Sequence, residues 1–238
     1  MTTADVITAI SGAKNNGELI QECVHLGYLT PDMVVLDATY GKGRFWNVWK
    51  PETLIKSDIE DLPDLDMQAD VRNLPFEDGA LDCVVIDLPY KENGSGGSHA
   101  SDEAYGVADS WQGYGARTKM YAGALTEAHR VMKRGGVALV KVMDQVVGGR
   151  VSWQTKEIWQ FAVSAGFEQI DELLLPNNIR QPERGVCETC GTKLMLRSTG
   201  KWLPVGSDSK TCRHTVVLPA RQQHARRNFS TLMIFRRL

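Results

Sequence analysis

Apolar residues recur along this chain in two kinds of block. Leu19, Ile20, Cys23, Val24 and Leu26 follow a helical spacing that stops near Gly27. Met120, Tyr121, Leu125, Ala128 and Met132 predict a second amphipathic helix over 117–133, closed by Lys133-Arg134-Gly135-Gly136. A third helix is expected over 155–165, stopped by Gly166, and a further one is expected to start within 44–49. Between these lie apolar runs too short for most helices and bounded by turn residues. They predict strands over 33–37, 53–58, 66–70, 81–87, 137–143 and 167–175. A last strand over 231–235 is reached from its predecessor with no helical pattern between, which predicts an antiparallel pair.

This alternation predicts an α/β protein built on a doubly wound, mostly parallel seven-stranded sheet with an antiparallel last strand. The catalytic body is expected over 1–179 and 221–238, interrupted by a small zinc-ribbon-like insertion over 180–220. A Gly- and Ser-rich stretch over 91–115, carrying Tyr105, Trp111 and Tyr114, follows the fourth strand and reads as a mobile cover for an active site.

With 238 residues and 42% apolar content the chain can build a real core, which excludes a disordered, collagen-like or disulfide-stapled class. No apolar run approaches the ~18–20 residues of a membrane span, and the N-terminal residues lack a signal-peptide pattern. A soluble, cytoplasmic protein with no membrane partner is the expectation. The formal net charge of −2 hides an asymmetry. Residues 180–238 hold 12 Lys+Arg against 3 Asp+Glu, net +9, which leaves 15 against 26, net −11, for residues 1–179. A basic surface on an acidic body suits a partner that carries phosphates.

Three acids end three successive predicted strands. Asp37 opens the run Asp37-Ala-Thr39-Tyr-Gly41-Lys-Gly43, where strand, glycines and expected helix let a ligand approach the backbone. Trp46 stands where a dinucleotide fingerprint would place a third glycine, and the Asp37 carboxylate suits an amine-bearing ligand better than a pyrophosphate. Asp58 can accept from both hydroxyls of a ribose, and Asp70 is positioned for an adenine amino group. Cys23 and Cys83 lie in apolar contexts and read as buried thiols. Cys187 and Cys190 form a knuckle, and Cys212 with His214 offers a second ligand pair, with His224 a rival for the fourth place. Four such ligands fit a closed, structural Zn2+ site.

The fourth strand ends in Asp87-Leu88-Pro89-Tyr90. With this tetrapeptide the chain, over about 14–175 and again 221–236, resembles the class I S-adenosylmethionine-dependent methyltransferases, and more narrowly those that methylate exocyclic amines of nucleic-acid bases through an Asp/Asn/Ser-Pro-Pro-aromatic motif. Leu88 replaces the first Pro, as in the ribosomal RNA adenine dimethylases. The resemblance implies that Asp37, Thr39, Gly41 and Gly43 hold the methionine end of S-adenosyl-L-methionine, Asp58 its ribose, and Asp70 with Val71 its adenine. It further implies that Asp87 and the Leu88 carbonyl accept from the target amine, and that Pro89 and Tyr90 complete the motif, Tyr90 stacking on an extruded base. Lys91, Arg197, Lys201, Arg221, Arg226 and Arg227 are candidate phosphate contacts. DNA is favoured over RNA as partner and adenine over cytosine as target. An RNA base amino-methyltransferase is the alternative, and an inactive nucleic-acid-binding protein of methyltransferase-like fold is the third reading.

Overall fold

The computed structural model describes residues 7–89, 116–147, 150–176, 184–196, 200–204, 216–217 and 229–238. The chain divides into two compact units: one of Met1–Gln145, Ser152–Asn177 and Phe229–Leu238, the other of Val146–Val151 and Asn178–Asn228.

In the first unit α1 (Asn16–His25) is started by Asn15, whose side chain accepts from the Glu18 N–H. It gives way at Gly27, which takes a φ of 79°. The strands β1 (Val34–Asp37), β2 (Thr53–Asp58), β3 (Met67–Gln68) and β4 (Leu81–Ile86) follow. Then come α2 (Ala116–Val131), β5 (Met132–Val142), the short strands β6 (Gln145–Val147) and β7 (Arg150–Ser152), whose Val146–Val151 belong to the second unit, and, back in the first, α3 (Gln154–Ala165) and β8 (Phe167–Pro176). The final strand is β13 (Phe229–Arg237).

Seven strands pair in the order β3-β2-β1-β4-β5-β13-β8. The first five run parallel to their neighbours, and β13 lies antiparallel between β5 and β8. The expected doubly wound sheet and its antiparallel last strand are present. Alternate residues of the central strands feed two cores. Leu36, Val84, Ile86 and Val140 join Tyr121, Leu125 and Ala128 of α2 and Ile158 of α3. Val35, Cys83, Val85 and Leu139 join Leu19, Ile20 and Cys23 of α1. The helical face predicted for α2 is buried throughout, and so are Cys23 and Cys83.

Some expected boundaries move. No helix forms over 44–49: Gly41 and Gly43 turn the backbone, Pro51 follows closely, and Phe45 and Trp46 instead pack into the core from a loop. The strand expected over 66–70 shrinks to two residues, because Asp66 turns back to accept from the Lys56 N–H. Lys133–Gly136, read as a helix end, belongs to β5, which starts five residues earlier than expected with an irregular register against β4. The hairpin of β6 and β7 has no counterpart in the expected elements.

The second unit contains a four-stranded antiparallel sheet in the order β11-β10-β9-β12, from β9 (Arg184–Cys187), β10 (Lys193–Leu196), β11 (Trp202–Pro204) and β12 (Val216–Val217). Among the described residues no helix is long and apolar enough to cross a membrane.

Candidate functional site

The carboxyl ends of β1, β2 and β4 gather the candidate residues of the first unit. After Asp37 the chain turns through Gly41 and Gly43, both at positive φ, where glycine meets no steric cost. A Cβ at Gly43 would also lie 2.5 Å from the Tyr40 hydroxyl. The turn is tied to β2: the Tyr40 N–H donates to the Ser57 carbonyl (2.9 Å) and the Gly41 N–H to Asp58 Oδ2 (2.8 Å). Asp58 Oδ1 accepts from the Glu60 N–H (3.2 Å). A carboxylate has about four lone-pair sites, so Asp58 can brace the turn and still accept from a hydroxyl.

Asp37, expected to face an amine-bearing ligand, is bonded within the loop. It has no exposed surface; Oδ2 accepts from the Trp46 indole N–H (2.7 Å) and Oδ1 from the Thr39 N–H (3.1 Å). Burial pushes its pKa up to about 7; Trp46 and Thr39 oppose this, and the neighbouring Asp87 and Asp58 add to it. Asp37 thus pins the loop from inside, and Trp46, which the spacing marks only as a missing glycine, supplies the pin.

Asp70 is not the unencumbered acceptor that its position suggests. The Arg72 guanidinium grips it in a fork, through Nε at 2.9 Å and Nη2, and the Arg72 N–H donates to Oδ1. Hydrogen bonding to Arg72 holds the carboxyl below the usual carboxylate range. The side chain of Val71 is buried in the core.

The segment after β4 is fixed at two points. The Asp87 N–H donates to Thr39 Oγ1 (2.8 Å), which joins it to the glycine turn. The Leu88 carbonyl accepts from the hydroxyl of Tyr121 (3.1 Å), itself fully buried on α2. A carbonyl oxygen has two lone pairs, so this bond orients the Leu88 acceptor without consuming it. Leu88 is buried and Pro89 half-buried. Tyr90, Lys91, Tyr105, Trp111 and Tyr114 lie outside the described residues.

Three further side chains belong to this end of the sheet. Tyr121 reads in the sequence as one more core residue, and nothing in its spacing announces the bond to Leu88. Lys141, in an apolar strand, is buried and donates to Asn16 Oδ1 (2.7 Å). Asp144, also buried, accepts from the Thr155 N–H (3.0 Å) and its hydroxyl (3.1 Å), so it caps α3 from the far side of a hairpin. An ionisable residue within or just past an apolar strand was the available signal for the last two.

In the second unit β9 ends at Cys187. The Cys187 N–H donates to the Thr192 carbonyl (2.8 Å), the Gly191 N–H donates to the Cys187 carbonyl (2.9 Å), and Gly191 takes a φ of 70°. This tight turn leaves Cys187 buried and Cys190 exposed, with Cys190 Sγ 3.1 Å from Thr192 Oγ1. Val216 pairs with Cys187 across the sheet. Cys212, His214, His224, Arg197, Arg221, Arg226 and Arg227 lie outside the described residues, whereas Lys201 is exposed next to β11. Among the described residues no group of three or more candidate ligands gathers, so two of the four expected ligands are all that the described part of the turn supplies.

No protein-family model and no curated protein matches this chain. Solved structures do. A provisionally assigned methyltransferase from Bacillus halodurans aligns with a TM-score of 0.50 and 14% identity over 94% of this chain and 99% of its own. TrmN from Thermus thermophilus aligns at 0.46 and 13% identity, over 97% of this chain and 50% of its own. A provisionally assigned DNA modification methylase from the same organism, complexed with S-adenosyl-L-methionine, aligns at 0.40 and 14% identity over 71% of this chain. The chain spans about half the length of that protein, 53%. The fold defined by the strand order and its antiparallel seventh strand is that of the S-adenosylmethionine-dependent methyltransferases.

Proposed function

We propose that this protein transfers a methyl group from S-adenosyl-L-methionine to an exocyclic amine of a DNA base, adenine before cytosine. The observation that carries the reading is the acceptor pair after β4: Asp87 and the Leu88 carbonyl, held by Thr39 Oγ1 and the Tyr121 hydroxyl at the end of the sheet where the glycine turn lies. An amine conjugated to an aromatic ring is a poor nucleophile because its lone pair is delocalised. Two acceptors fixed on its hydrogens draw it toward a tetrahedral geometry, and fixed acceptors need no reorganisation as charge develops.

The residues present fit the cofactor. Gly41 and Gly43 form a turn in which a side chain at 43 would collide with Tyr40, and Asp58 retains acceptor sites for ribose hydroxyls. Thr39 holds the turn to the acceptor segment, Asp70 presents a carboxylate already paired with Arg72, and Val71 can offer its backbone. When bound, the cofactor supplies an already activated methyl group, so no strong base or covalent nucleophile is asked of the protein. Pro89 and Tyr90 complete the motif, and Tyr90 is assigned to stacking on the extruded base.

We assign the second unit to a structural Zn2+ held by Cys187, Cys190, Cys212 and His214, or by His224 in the last place. The left-handed Gly191 behind Cys190 and the Cys187–Thr192 hydrogen bond support a two-thiolate knuckle. Lys91 of the first unit and Arg197, Lys201, Arg221, Arg226 and Arg227 of the second are proposed phosphate contacts, with binding that weakens steeply as salt rises.

The test is a panel of DNA and RNA oligonucleotides with labelled cofactor. Methylated adenine in DNA is expected, and Asp87→Ala should reduce transfer at least ~100-fold while S-adenosylhomocysteine still binds in calorimetry. Transfer confined to RNA favours the alternative that Leu88 suggests. Near-normal turnover in Asp87→Ala removes Asp87 from the acceptor role, and absence of cofactor binding in the parent protein leaves a nucleic-acid-binding protein without this activity.

A further inference from the structure

Lys141 is the one lysine buried among the described residues, with 7% of its surface exposed. An ammonium withdrawn from water costs several kcal/mol unless charge or hydrogen bonds compensate it, so its partners define its purpose. Asn16 Oδ1 takes one of its three N–H groups at 2.7 Å, and the Phe45 ring lies 5.7 Å from Nζ. Neither carries a charge. The strand register brings an acid to the same end of the sheet. β4 and β5 run parallel with Val85 opposite Leu139 and Ile86 opposite Val140, and one step further stand Asp87 and Lys141. The two-residue alternation puts both on the face of Cys83, Val85 and Leu139, beneath α1.

We propose that Lys141 is a positioning residue for Asp87: the buried ammonium, aimed by Asn16, holds Asp87 as an ionised carboxylate in a fixed orientation at the end of the sheet. This rests on the reading of Asp87 as the acceptor for the target amine. Asp87 raises the pKa of Asp37 from β1 and of Tyr121 from α2, Asp58 from β2 acts on the same Asp37, and Arg117 from α2 acts on Tyr121. Asp87 in turn opposes the lowering that burial imposes on Lys141. A protonated Asp87 would offer one oxygen as a donor where an amine requires an acceptor. Lys141 gives the negative charge a fixed counter-ion at one corner of this group, and Asn16 prevents the ammonium from leaving it.

The test follows the Asp87 carboxyl directly. Protein labelled with 13C at aspartate carboxyl carbons is titrated by NMR, and the Asp87 signal is the one missing from Asp87→Asn. Lys141→Met keeps the volume and removes the charge; it is expected to raise the Asp87 midpoint by about one pH unit or more, a tenfold change in proton affinity. Lys141→Arg should restore the parent midpoint. Asn16→Leu leaves the lysine but removes its guide, should shift the midpoint the same way by less, and serves if Lys141→Met does not fold. A midpoint unmoved in Lys141→Met, or in Asn16→Leu where only that variant folds, overturns the proposal. The readout needs no substrate, so it is separate from the parent reading: normal methyl transfer by Asp87→Asn would overturn the acceptor role while the titration still decides the pairing.

Discussion

Asp37 and Trp46 show how one hydrogen bond ties a buried acid into its loop. An aspartate in an unfolded chain titrates near ~4, whereas burial pushes Asp37 up to about 7. Between those two pH values the folded protein holds a proton that the unfolded chain has released, so this group lowers stability as pH rises through that window. Asp37→Asn should flatten that part of the curve of unfolding free energy against pH, measured by urea titration, and an unaltered slope would mean that Asp37 is ionised in the fold. Trp46→Phe removes the donor from a buried acceptor and should cost ~1–3 kcal/mol in the same assay. The sequence marks an acid at the end of a strand and a tryptophan nine positions on. Their bond depends on how the loop between them folds back, which periodicity cannot report. The same limit hid the Tyr121–Leu88 bond, formed across 33 positions.

Among the elements, the entry to β5 is the most demanding. A Cβ at Gly136 would lie 2.8 Å from the Asp82 carbonyl and 2.9 Å from the Lys133 carbonyl, both backbone atoms that cannot swing aside. Gly27 has a positive φ but nothing within 4 Å. Gly136→Ala should therefore destabilise by ~1–3 kcal/mol through crowding between β4 and β5, against about 1 kcal/mol for the backbone strain of Gly27→Ala; equal losses on denaturant unfolding would contradict this account. Across from this entry, Arg130 of α2 donates to the Leu74 and Phe76 carbonyls and to Glu127 and Asp78, so one side chain fastens the loop before β4. The apolar runs made β1, β4 and the faces of α1 and α2 legible. They could not reveal where β5 begins, because Lys133–Gly136 carries helix-ending residues and lies in an irregular stretch between the pairs Leu81–Met132 and Cys83–Val137.

At the scale of the whole molecule, the seven-stranded sheet and the antiparallel return of β13 were both readable from the alternation of strands and helices. The four strands of the second unit were not, since a tight cysteine-bearing turn and short β-pairs replace the apolar periodicity on which such reading depends. That composition makes a prediction of its own. If Zn2+ organises the second unit, a strong chelator should raise amide hydrogen exchange in 184–204 with little change in β1, β4 and β5, and Cys187→Ser should reproduce the effect. Protection unchanged by chelator and by the serine variant would show that these strands fold without metal.

The position of β13 also sets an order of events during synthesis. It leaves the ribosome after the other six strands of its sheet, yet it lies between β5 and β8. Until residue 229 and those after it emerge, two strands made much earlier have open edges, and open edges invite pairing with other chains. The larger part of the second unit, Asn178–Asn228, is made in that interval, inside the loop that β13 must close. Rapid folding of that segment shortens the effective loop and so lowers the entropic barrier to closing the sheet. A nascent chain paused just before Phe229 is therefore the form of this protein most in need of a chaperone.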